Sequence, residues 1–403
     1  MNIFAEVEQR IRSALEALQA DGKLPADLPI GQVELQEPRD PAHGDIACNV
    51  AMVLAKAARM KPRDIADLVA GKLQGDAAFA RIEVAGPGFL NLTMAPHVWH
   101  GLVKSILDQG TEYGRSNIGQ GQRVHVEYVS ANPTGPMHVG HCRGAVFGDT
   151  LCNLLAFAGY DVTREYYVND AGGQVEKLAR STYLRYREAL GEDIGEIPPG
   201  LYPGEYLKPI GQKLAEKHGR ALLDAPEFEW LPIVRDAAVA ELLDQIKDDL
   251  HSLGVHHDIF FSERSLTANG RDQVKEAIEL LRQKGYIFEG RLPRPKGHDD
   301  EEWEDREQTL FRSTAFGDDI DRALMKSDGS YTYFAYDVAY HYNKLQRGYD
   351  YYLNVLGAYH IGYIPRLKAA VAALSDGKAN FVTPVCQLVK VLRAGEPVRM
   401  SKR

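Results

Sequence analysis

Two histidines three residues apart, His138 and His141, follow a strand-like stretch and a Gly/Pro turn at the start of a helix-like stretch. Residues i and i+3 of a helix lie on one face, so the two imidazoles are expected to project together. Near a helix N-terminus they could donate hydrogen bonds to phosphate oxygens and stabilise charge that grows in a transition state. Gly140 has no Cβ, so a flat base could stack on its backbone. The pattern favours a nucleotide held at its phosphates.

The last five residues, RMSKR (399–403), form a short basic segment with a serine and a lysine. A basic end is usually a solvated surface. This one follows a strand pattern and a Gly-containing turn, where an open α/β sheet places its ligand loops. A helix N-terminus and a cationic loop both hold polyphosphate, so the two segments together indicate a nucleotide gripped from two sides.

The histidine pair has other interpretations. Half of a zinc site would need further ligands, and no cysteine or carboxylate stands at suitable local spacing. A purely structural role also remains open for an isolated H-x-G-H. An NAD-dependent oxidoreductase is disfavoured, because the first strand-to-helix turn lacks the G-x-G-x-x-G pattern.

The elements that must position these residues alternate from residue 124 onward. A strand at 124–129, a helix at 140–157, a strand at 162–168 and a helix at 171–187 form a βαβ unit, which predicts an α/β fold with a parallel sheet. Further strands are predicted at 259–262, 331–335, 352–356 and 385–392, and helices at 271–284, 337–347 and 364–374. Insertions are expected near 190–255 and 290–325; within the second, the acidic run that ends at residue 305 is interpreted as a solvated loop.

Residues 1–118 are predicted to form a separate small α+β domain, followed by a domain over 119–403. Phe4, Val7, Ile11 and Leu15 repeat at helical spacing, and residues 46–58 show a second helical pattern. Residues 81–94 predict two strand pieces around a Gly-Pro-Gly turn. The polar, Gly-bearing segment 113–122 is the expected boundary.

The composition is that of a soluble globular protein: of 403 residues, 44% are hydrophobic and 26% charged, and the net charge is −9. A nucleic-acid partner would therefore need a local basic surface. Four scattered cysteines without a C-x-x-C pair disfavour a disulfide framework and fit a reducing compartment. No signal peptide or long apolar run is recognised, so we expect a cytoplasmic protein without a membrane segment.

Several motifs, in order along the chain, resemble those of bacterial arginyl-tRNA synthetases. They are VEYVSANPTGPMHVGH (126–141), YYVNDAGGQ (166–174), DGSYTYFAYDVAY (328–340), LGAYHIGYIPRL (356–367) and GEPVRMSKR (395–403). RDPAHGDIACNVAMVLAK (39–56) and GPGFLNL (86–92) resemble the N-terminal add-on domain of that family. The resemblance spans nearly the whole chain.

The resemblance implies a Rossmann-like class I synthetase catalytic domain with insertions, preceded by a small α+β domain. The implied reaction joins arginine and ATP into arginyl-adenylate and then transfers the arginyl group to the 3′ end of tRNA(Arg), with tRNA required for activation. His138 and His141 match the signature histidines at the ATP phosphates, and Lys402 matches the lysine that stabilises departing pyrophosphate. The implied ATP-binding set is Pro133, His138, Gly140, His141, Met400, Ser401 and Lys402. ATP is expected with Mg²⁺ as a substrate complex, with no dedicated protein metal site.

The arginine-binding positions implied by the resemblance are Glu127, Asn132, Tyr333, Asp337 and His360. A guanidinium is planar and always charged, so its pocket needs carboxylates and acceptors. Tyr333 and Asp337 are four residues apart and are expected to face one cavity, with Asp337 on the guanidinium. Glu127 and Asn132 are assigned to the amino-acid end of the substrate. Without the resemblance, Asp337 would be interpreted as a helix cap.

Three departures from the family pattern are present. The mobile loop begins with Arg399 instead of lysine, and Tyr359 and Ile361 flank His360 where the family more often has aspartate and histidine. The chain ends directly after the loop, which predicts that the anticodon-binding domain is lacking.

The expected partners are tRNA(Arg), arginine and ATP. We expect a monomer, with the N-terminal domain on the tRNA elbow. One alternative is a non-catalytic tRNA-binding fragment. The other is a small-molecule adenylyltransferase, and the presence of the N-terminal domain disfavours this second alternative.

Overall fold

The computed structural model describes residues 2–31, 33–293 and 306–398. The chain divides into two compact units, Met1–Arg115 and Ser116–Arg403. Among the described residues, no helix is long and apolar enough to cross a membrane.

The first unit packs four helices around a four-stranded antiparallel sheet of order β1-β2-β4-β3. Its helices are α1 Ile3–Ala20, α2 Val50–Ala58, α3 Pro62–Leu73 and α4 Pro96–Gln109. Its strands are β1 Leu35–Gln36, β2 Ile46–Cys48, β3 Phe79–Ala85 and β4 Phe89–Met94.

The first helix is confirmed. The Asn2 side chain accepts from the Ala5 N–H, and Val7, Ile11 and Leu15 are buried, while Phe4 is exposed. The helix predicted over 46–58 is wrong in its first residues. Ile46–Cys48 form β2 and pair with β4, with Ile46 opposite Leu92. Cross-strand pairing there overrides the helical pattern.

The second unit is built on a five-stranded, wholly parallel sheet of order β13-β11-β5-β6-β7. Its strands are β5 Arg123–Glu127, β6 Asp161–Val168, β7 Ile259–Ser262, β8 Ile287–Gly290, β9 Gln308–Phe311, β10 Arg322–Met325, β11 Tyr351–Asn354, β12 Leu356–Gly357, β13 Asn380–Val382, β14 Val385–Cys386, β15 Val391–Arg393 and β16 Glu396–Val398. Its helices are α5 Val139–Phe157, α6 Gly173–Ala189, α7 Lys208–His218, α8 Glu227–Ser252, α9 Gln273–Gln283, α10 Tyr333–Gln346 and α11 Ile364–Ser375. The predicted parallel α/β architecture with a small preceding unit is confirmed.

Two expected insertions contain regular structure of their own. Helices α7 and α8 fall within 190–255, and the antiparallel strands β8, β9 and β10 flank the acidic run. The acidic run itself, residues 294–305, lies outside the described residues.

Two strand predictions are wrong. Residues 331–335 open α10: Thr332 caps the helix by accepting from the Ala335 N–H, and Phe334 and Val338 bury one face. The aromatic residues of this stretch suggested a strand, but they lie at the start of a helix, because β-propensity depends on the packing available. The predicted strand at 385–392 is split into β14 and β15 by residues without regular structure.

Helix α5 packs closely on the residue that follows β5. A Cβ on Gly148 would lie 2.3 Å from the ring of Tyr128, which is fully buried. Only glycine allows this approach, so the crossing of α5 over the sheet is set by Gly148 and Tyr128.

Candidate active site

The histidine pair sits at the first turn of α5, just beyond the carboxyl end of β5. Nδ1 of His138 accepts from the Gly140 N–H at 3.1 Å, and Nδ1 of His141 accepts from the His138 N–H at 3.3 Å. The pair therefore forms a reciprocal capping box made of two imidazoles. Their rings stack with centroids 3.8 Å apart and planes 14° from parallel.

The capping bonds determine what the two rings can offer a ligand. A ring nitrogen that accepts a backbone hydrogen bond carries no proton, so in the neutral rings the proton is on Nε2. Both histidines then carry an Nε2–H donor beside the positive end of α5. Donors at a helix N-terminus suit phosphate oxygens.

The loop between β5 and α5 is tied down by three tyrosines. The Tyr166 hydroxyl donates to the Ala131 carbonyl at 2.6 Å, and the Tyr206 hydroxyl donates to the Thr134 carbonyl at 2.8 Å. The Tyr167 N–H donates to Ser130 Oγ at 3.1 Å. Val129 has φ of 69° and Ser130 has φ of 41°. A β-branched residue in this region is strained, and such strain persists only where the surroundings impose it.

Asp337 lies one helical turn into α10. Because α10 leads into the amino end of β11, its first turns lie at the carboxyl edge of the parallel sheet, the edge from which the β5–α5 loop also emerges. Oδ2 of Asp337 accepts a hydrogen bond from the Tyr363 hydroxyl. Burial raises the pKa of Asp337 to about 7; the Tyr363 hydrogen bond opposes this, and the charges of Glu263 and Glu127 reinforce it.

Tyr333 opens α10 and is 58% exposed. Its ring is in van der Waals range of Gly172, where a Cβ would lie 3.6 Å from the ring. The alternative interpretation of Asp337, as a helix cap, is wrong, since Thr332 caps α10. A second carboxyl belongs to the same neighbourhood: Glu263 is 5% exposed and accepts from the Tyr167 hydroxyl at 2.7 Å. Burial also raises the pKa of Glu263, and nearby Asp170 adds to the rise although the Tyr167 hydrogen bond opposes it.

Glu127, at the carboxyl end of β5, is paired with a buried lysine. Lys344 Nζ donates to Glu127 Oε2 at 2.5 Å, and Ser130 Oγ donates to Oε1 at 3.2 Å. Burial pushes the pKa of Glu127 upward, but the charge and hydrogen bond of Lys344 outweigh it and hold the pKa below its ordinary value. The negative charge of Glu127 is therefore already balanced by the positive charge of Lys344.

Lys344 also begins a chain of hydrogen-bonded polar side chains. Lys344 Nζ also donates to Asn354 Oδ1 at 2.9 Å, and Asn354 Nδ2 lies 3.2 Å from His341 Nε2. His341 Nδ1 lies 2.8 Å from the carbonyl oxygen of Asp337. A carbonyl can only accept, so the proton of His341 is on Nδ1. The Asn354 amide nitrogen can only donate, so His341 Nε2 accepts its hydrogen bond and the ring is neutral. Burial lowers the pKa of His341 to about 3, as does the charge of Lys344.

A second buried carboxylate, Glu165 on β6, pairs in register with Glu127. Arg347 holds it with two hydrogen bonds of 2.5 and 3.0 Å, and the Tyr340 hydroxyl donates to Oε1 at 2.6 Å. His125 Nε2 lies 3.3 Å from the same oxygen. Burial opposes ionisation of Glu165, but His125 and Arg347 outweigh it and hold the pKa of Glu165 well below its ordinary value. Burial lowers the pKa of His125 to about 4.

The remaining predicted positions fall into three groups. Asn132 Nδ2 donates to Gln174 Oε1 at 3.2 Å, and Pro133 is buried in the same loop. His360 is exposed on the turn Ala358–Tyr363, its ring 4.1 Å from that of Tyr359, and the charge of Glu127 acts on it although burial dominates and lowers its pKa. Arg399, Met400, Ser401 and Lys402 lie outside the described residues.

Several residues of this region escaped sequence reasoning: Glu165, Glu263, Tyr340, His341, Lys344, Arg347, Asn354 and Tyr363. One signal was present, because Tyr340, Lys344 and Arg347 follow a helical i, i+4, i+7 spacing that places two cations on one face of α10. Asp170 proves to be structural: it accepts from Ser262 Oγ at 2.6 Å and from the Arg264 N–H at 3.1 Å. Over the described ranges, no group of three or more His, Cys, Asp or Glu could hold a metal ion.

Two family descriptions match the chain. Residues 5–94 match the arginyl tRNA synthetase N terminal domain, and residues 102–192 match the class I (R) tRNA synthetase catalytic domain.

Curated relatives share the whole length of this chain. An arginine–tRNA ligase of Nitrobacter hamburgensis is 59% identical over 402 residues, which cover 100% of this chain and 67% of the relative. One from Rhodopseudomonas palustris is 58% identical with the same coverage. The chain therefore spans about two thirds of the length of these relatives.

Solved structures share the fold. A putative arginyl-tRNA synthetase from Campylobacter jejuni superposes with a TM-score of 0.66 at 34% identity, covering 76% of this chain and 63% of that one. The Thermus thermophilus arginyl-tRNA synthetase superposes with a TM-score of 0.59 at 19% identity, covering 94% of this chain and 65% of that one. The second likeness is one of fold alone.

Proposed function

The chain belongs to the arginyl-tRNA synthetase family of arginine–tRNA ligases, and from this premise we propose how its second unit activates arginine with ATP and passes the arginyl group to the 3′ end of tRNA(Arg). The observation that carries the proposal is a juxtaposition at one edge of the parallel sheet. Two Nε2–H donors at the start of α5 share this edge with the carboxyl of Asp337, which forms no ion pair with any described residue. The first suits a triphosphate and the second suits a guanidinium.

The first step is attack of the arginine carboxylate on the α-phosphorus of ATP, with pyrophosphate as the leaving group. His138 and His141 donate Nε2–H bonds to the phosphates, and these bonds strengthen as charge builds on the bridging and terminal oxygens. Gly140 offers the adenine a surface without a side chain. Lys402, supported by Met400 and Ser401, is assigned to the departing pyrophosphate. Mg²⁺ is assigned to ATP itself, where it would neutralise phosphate charge.

Arginine selectivity follows from the charge of the pocket. Asp337 faces the guanidinium together with Tyr333, Glu127 and Asn132 contact the amino-acid end, and His360 is assigned to the arginine site. Glu127 is neutralised by Lys344, so the charge available to a cationic side chain comes from Asp337. In the second step the terminal ribose hydroxyl of tRNA attacks the adenylate carbonyl and AMP leaves.

The decisive experiment is ATP–pyrophosphate exchange, with and without tRNA, across all twenty amino acids. We expect exchange for arginine alone and its loss, by about a hundredfold or more, in His141→Ala and Lys402→Ala. Exchange at the parent rate in both variants would refute the assignment of the phosphate site. Binding of tRNA without exchange in the parent would favour the non-catalytic tRNA-binding fragment.

The first unit is assigned to tRNA, as the family resemblance suggests. Deleting residues 1–118 should weaken tRNA binding more than ATP binding, measured by filter binding and by nucleotide titration. Equal losses would contradict the assignment.

We also propose that the protein is a monomer and lies in the cytoplasm. The four unpaired cysteines support the second of these assignments, because disulfides are rare in a reducing compartment.

A further inference from the structure

Tyr363 connects the pocket to the turn that follows β12. It is the last residue of the turn Ala358–Tyr363 and the N-terminal flank of α11. Its ring is held on two sides, because the Arg366 guanidinium lies 4.6 Å from the ring centroid and the Phe334 ring meets it edge-on at 6.2 Å. The ring is therefore fixed, and so is the direction in which its hydroxyl donates.

The Tyr363 hydroxyl donates to one of the two carboxylate oxygens of Asp337 and not to the other. Oδ2 accepts from Tyr363. Oδ1 accepts no hydrogen bond from the described residues. It is also not one of the described side-chain atoms that are fully buried without a hydrogen-bond partner. Oδ2 is thus held by a hydrogen bond and Oδ1 keeps some solvent-accessible surface, so rotation of the carboxylate about its last bond is restricted.

We propose that Tyr363 is a positioning residue for arginine recognition, an inference that rests on the proposed function: its hydroxyl fixes the Asp337 carboxylate so that Oδ1 meets the substrate guanidinium, and it supports the ionised form that a cation requires. The proposal makes the turn Ala358–Tyr363 part of substrate selection.

The ionisation of Asp337 depends on the charged and titratable groups that act on it most strongly. These are Tyr363 from the turn, Glu263 after β7, Glu127 on β5, Lys344 on α10 and Tyr167 on β6. Burial and the two glutamates favour the protonated acid, whereas Lys344 and the Tyr363 hydroxyl favour the carboxylate. Removing the hydroxyl leaves Lys344 as the group that still favours ionisation, so the pKa of Asp337 must rise above about 7.

The test is Tyr363→Phe, which removes one oxygen and keeps the ring between Arg366 and Phe334. Arginine affinity is measured by titration calorimetry from pH 6 to pH 9, with ATP affinity alongside. We expect the arginine dissociation constant to rise about tenfold near pH 7, the equivalent of about 1.4 kcal/mol. The defect should shrink toward pH 9, where Asp337 is ionised in both proteins, and the ATP dissociation constant should not change.

Tyr331→Phe is the matched control. Its hydroxyl donates to Asp272 Oδ2 at 2.7 Å, so it is also a tyrosine–aspartate pair of the second unit. We expect the parent pH profile in this variant.

The outcomes separate this inference from the proposed function. Parent affinity at every pH in Tyr363→Phe would overturn it, and so would a defect of equal size from pH 6 to pH 9, because that is what loss of packing alone produces. Asp337→Asn is the reference. If Asp337→Asn also binds arginine like the parent, the guanidinium pocket lies elsewhere and the proposed function loses its arginine site; if only Tyr363→Phe is unaffected, the positioning role alone fails.

Discussion

Two pairs of carboxyl groups lie close together in the second unit and behave in opposite ways. Glu127 and Glu165 are register partners in the sheet, and each is held by a cation of α10, Lys344 and Arg347 respectively. Asp337 and Glu263 are hydrogen-bonded by tyrosine hydroxyls instead. The pKa values of the first pair are lowered and those of the second pair are raised.

The difference lies in the supply of positive charge. Burial opposes ionisation in all four acids, and only the first pair has a partner cation that outweighs it. The first pair is complete, so it can stabilise the sheet but has little charge to offer a ligand. The second pair forms no ion pair with any described residue, so we call it incomplete. Helix α10 carries both arrangements, with the incomplete one at its start and the complete one near its end.

The largest effect is expected from breaking the complete pair. Lys344→Met leaves Glu127 without its cation, and such a change costs about 3–5 kcal/mol of unfolding free energy. Urea denaturation measures it. The double variant Lys344→Met/Glu127→Gln removes both charges and should recover most of the loss. Equal instability of the single and double variants would mean that the charge of Glu127 is not the cause.

The next effect comes from removing charge in the incomplete pair. Asp337→Asn should weaken arginine binding by an amount worth about 1.5–3 kcal/mol, with ATP binding intact. Stability should respond in the opposite sense. The folded-state pKa of about 7 exceeds the ordinary 3.8, so the native carboxylate costs stability once the pH rises toward and above 7.

Asp337→Asn should therefore unfold at equal or higher urea concentration than the parent at pH 8. Asp272→Asn is the contrast: Asp272 caps α9 by accepting from the Lys275 N–H at 2.9 Å, so this variant should lose stability and keep arginine affinity. A large stability loss in Asp337→Asn would argue against an uncompensated carboxyl.

A smaller effect is expected from pH alone. Arginine affinity should rise with pH up to the region of 7 and level off above it, changing at most about tenfold per pH unit below the midpoint because one proton is displaced. Calorimetry in buffers of different ionisation enthalpy should detect proton release at pH 6 and little at pH 9. In Asp337→Asn this dependence should be largely lost. A flat profile in the parent between pH 6 and pH 8 would show that Asp337 does not titrate there.

The smallest effect is expected from trimming the complete pair without breaking it. Tyr340→Phe removes the 2.6 Å hydrogen bond to Glu165 and leaves both bonds from Arg347. The loss should be about 1 kcal/mol of unfolding free energy. Arginine affinity should stay at the parent value. Weaker arginine binding in this variant would show that the two pairs are coupled.

The sequence predicted the parallel sheet, the position of His138 and His141 at the start of a helix, and a helix that contains Asp337. These follow from local rules: a βαβ rhythm, a helix start after a Gly/Pro turn, and a helical spacing. Sequence reasoning failed at 331–335, where aromatic residues suggested a strand and Thr332 instead caps a helix. It also treated Glu127 as an available carboxylate, because Lys344 stands 217 residues away in the chain.

The order of elements and the tautomer that the capping bonds impose on two histidines are consequences of neighbours within a few residues, so they can be derived from the chain itself. Which carboxyls are neutralised and which await a ligand is decided by side chains brought together across the sheet. Glu127 depends on Lys344, Glu165 on Arg347, and Asp337 on Tyr363. Charge compensation acts through space at a few ångströms, and only the folded chain sets those distances.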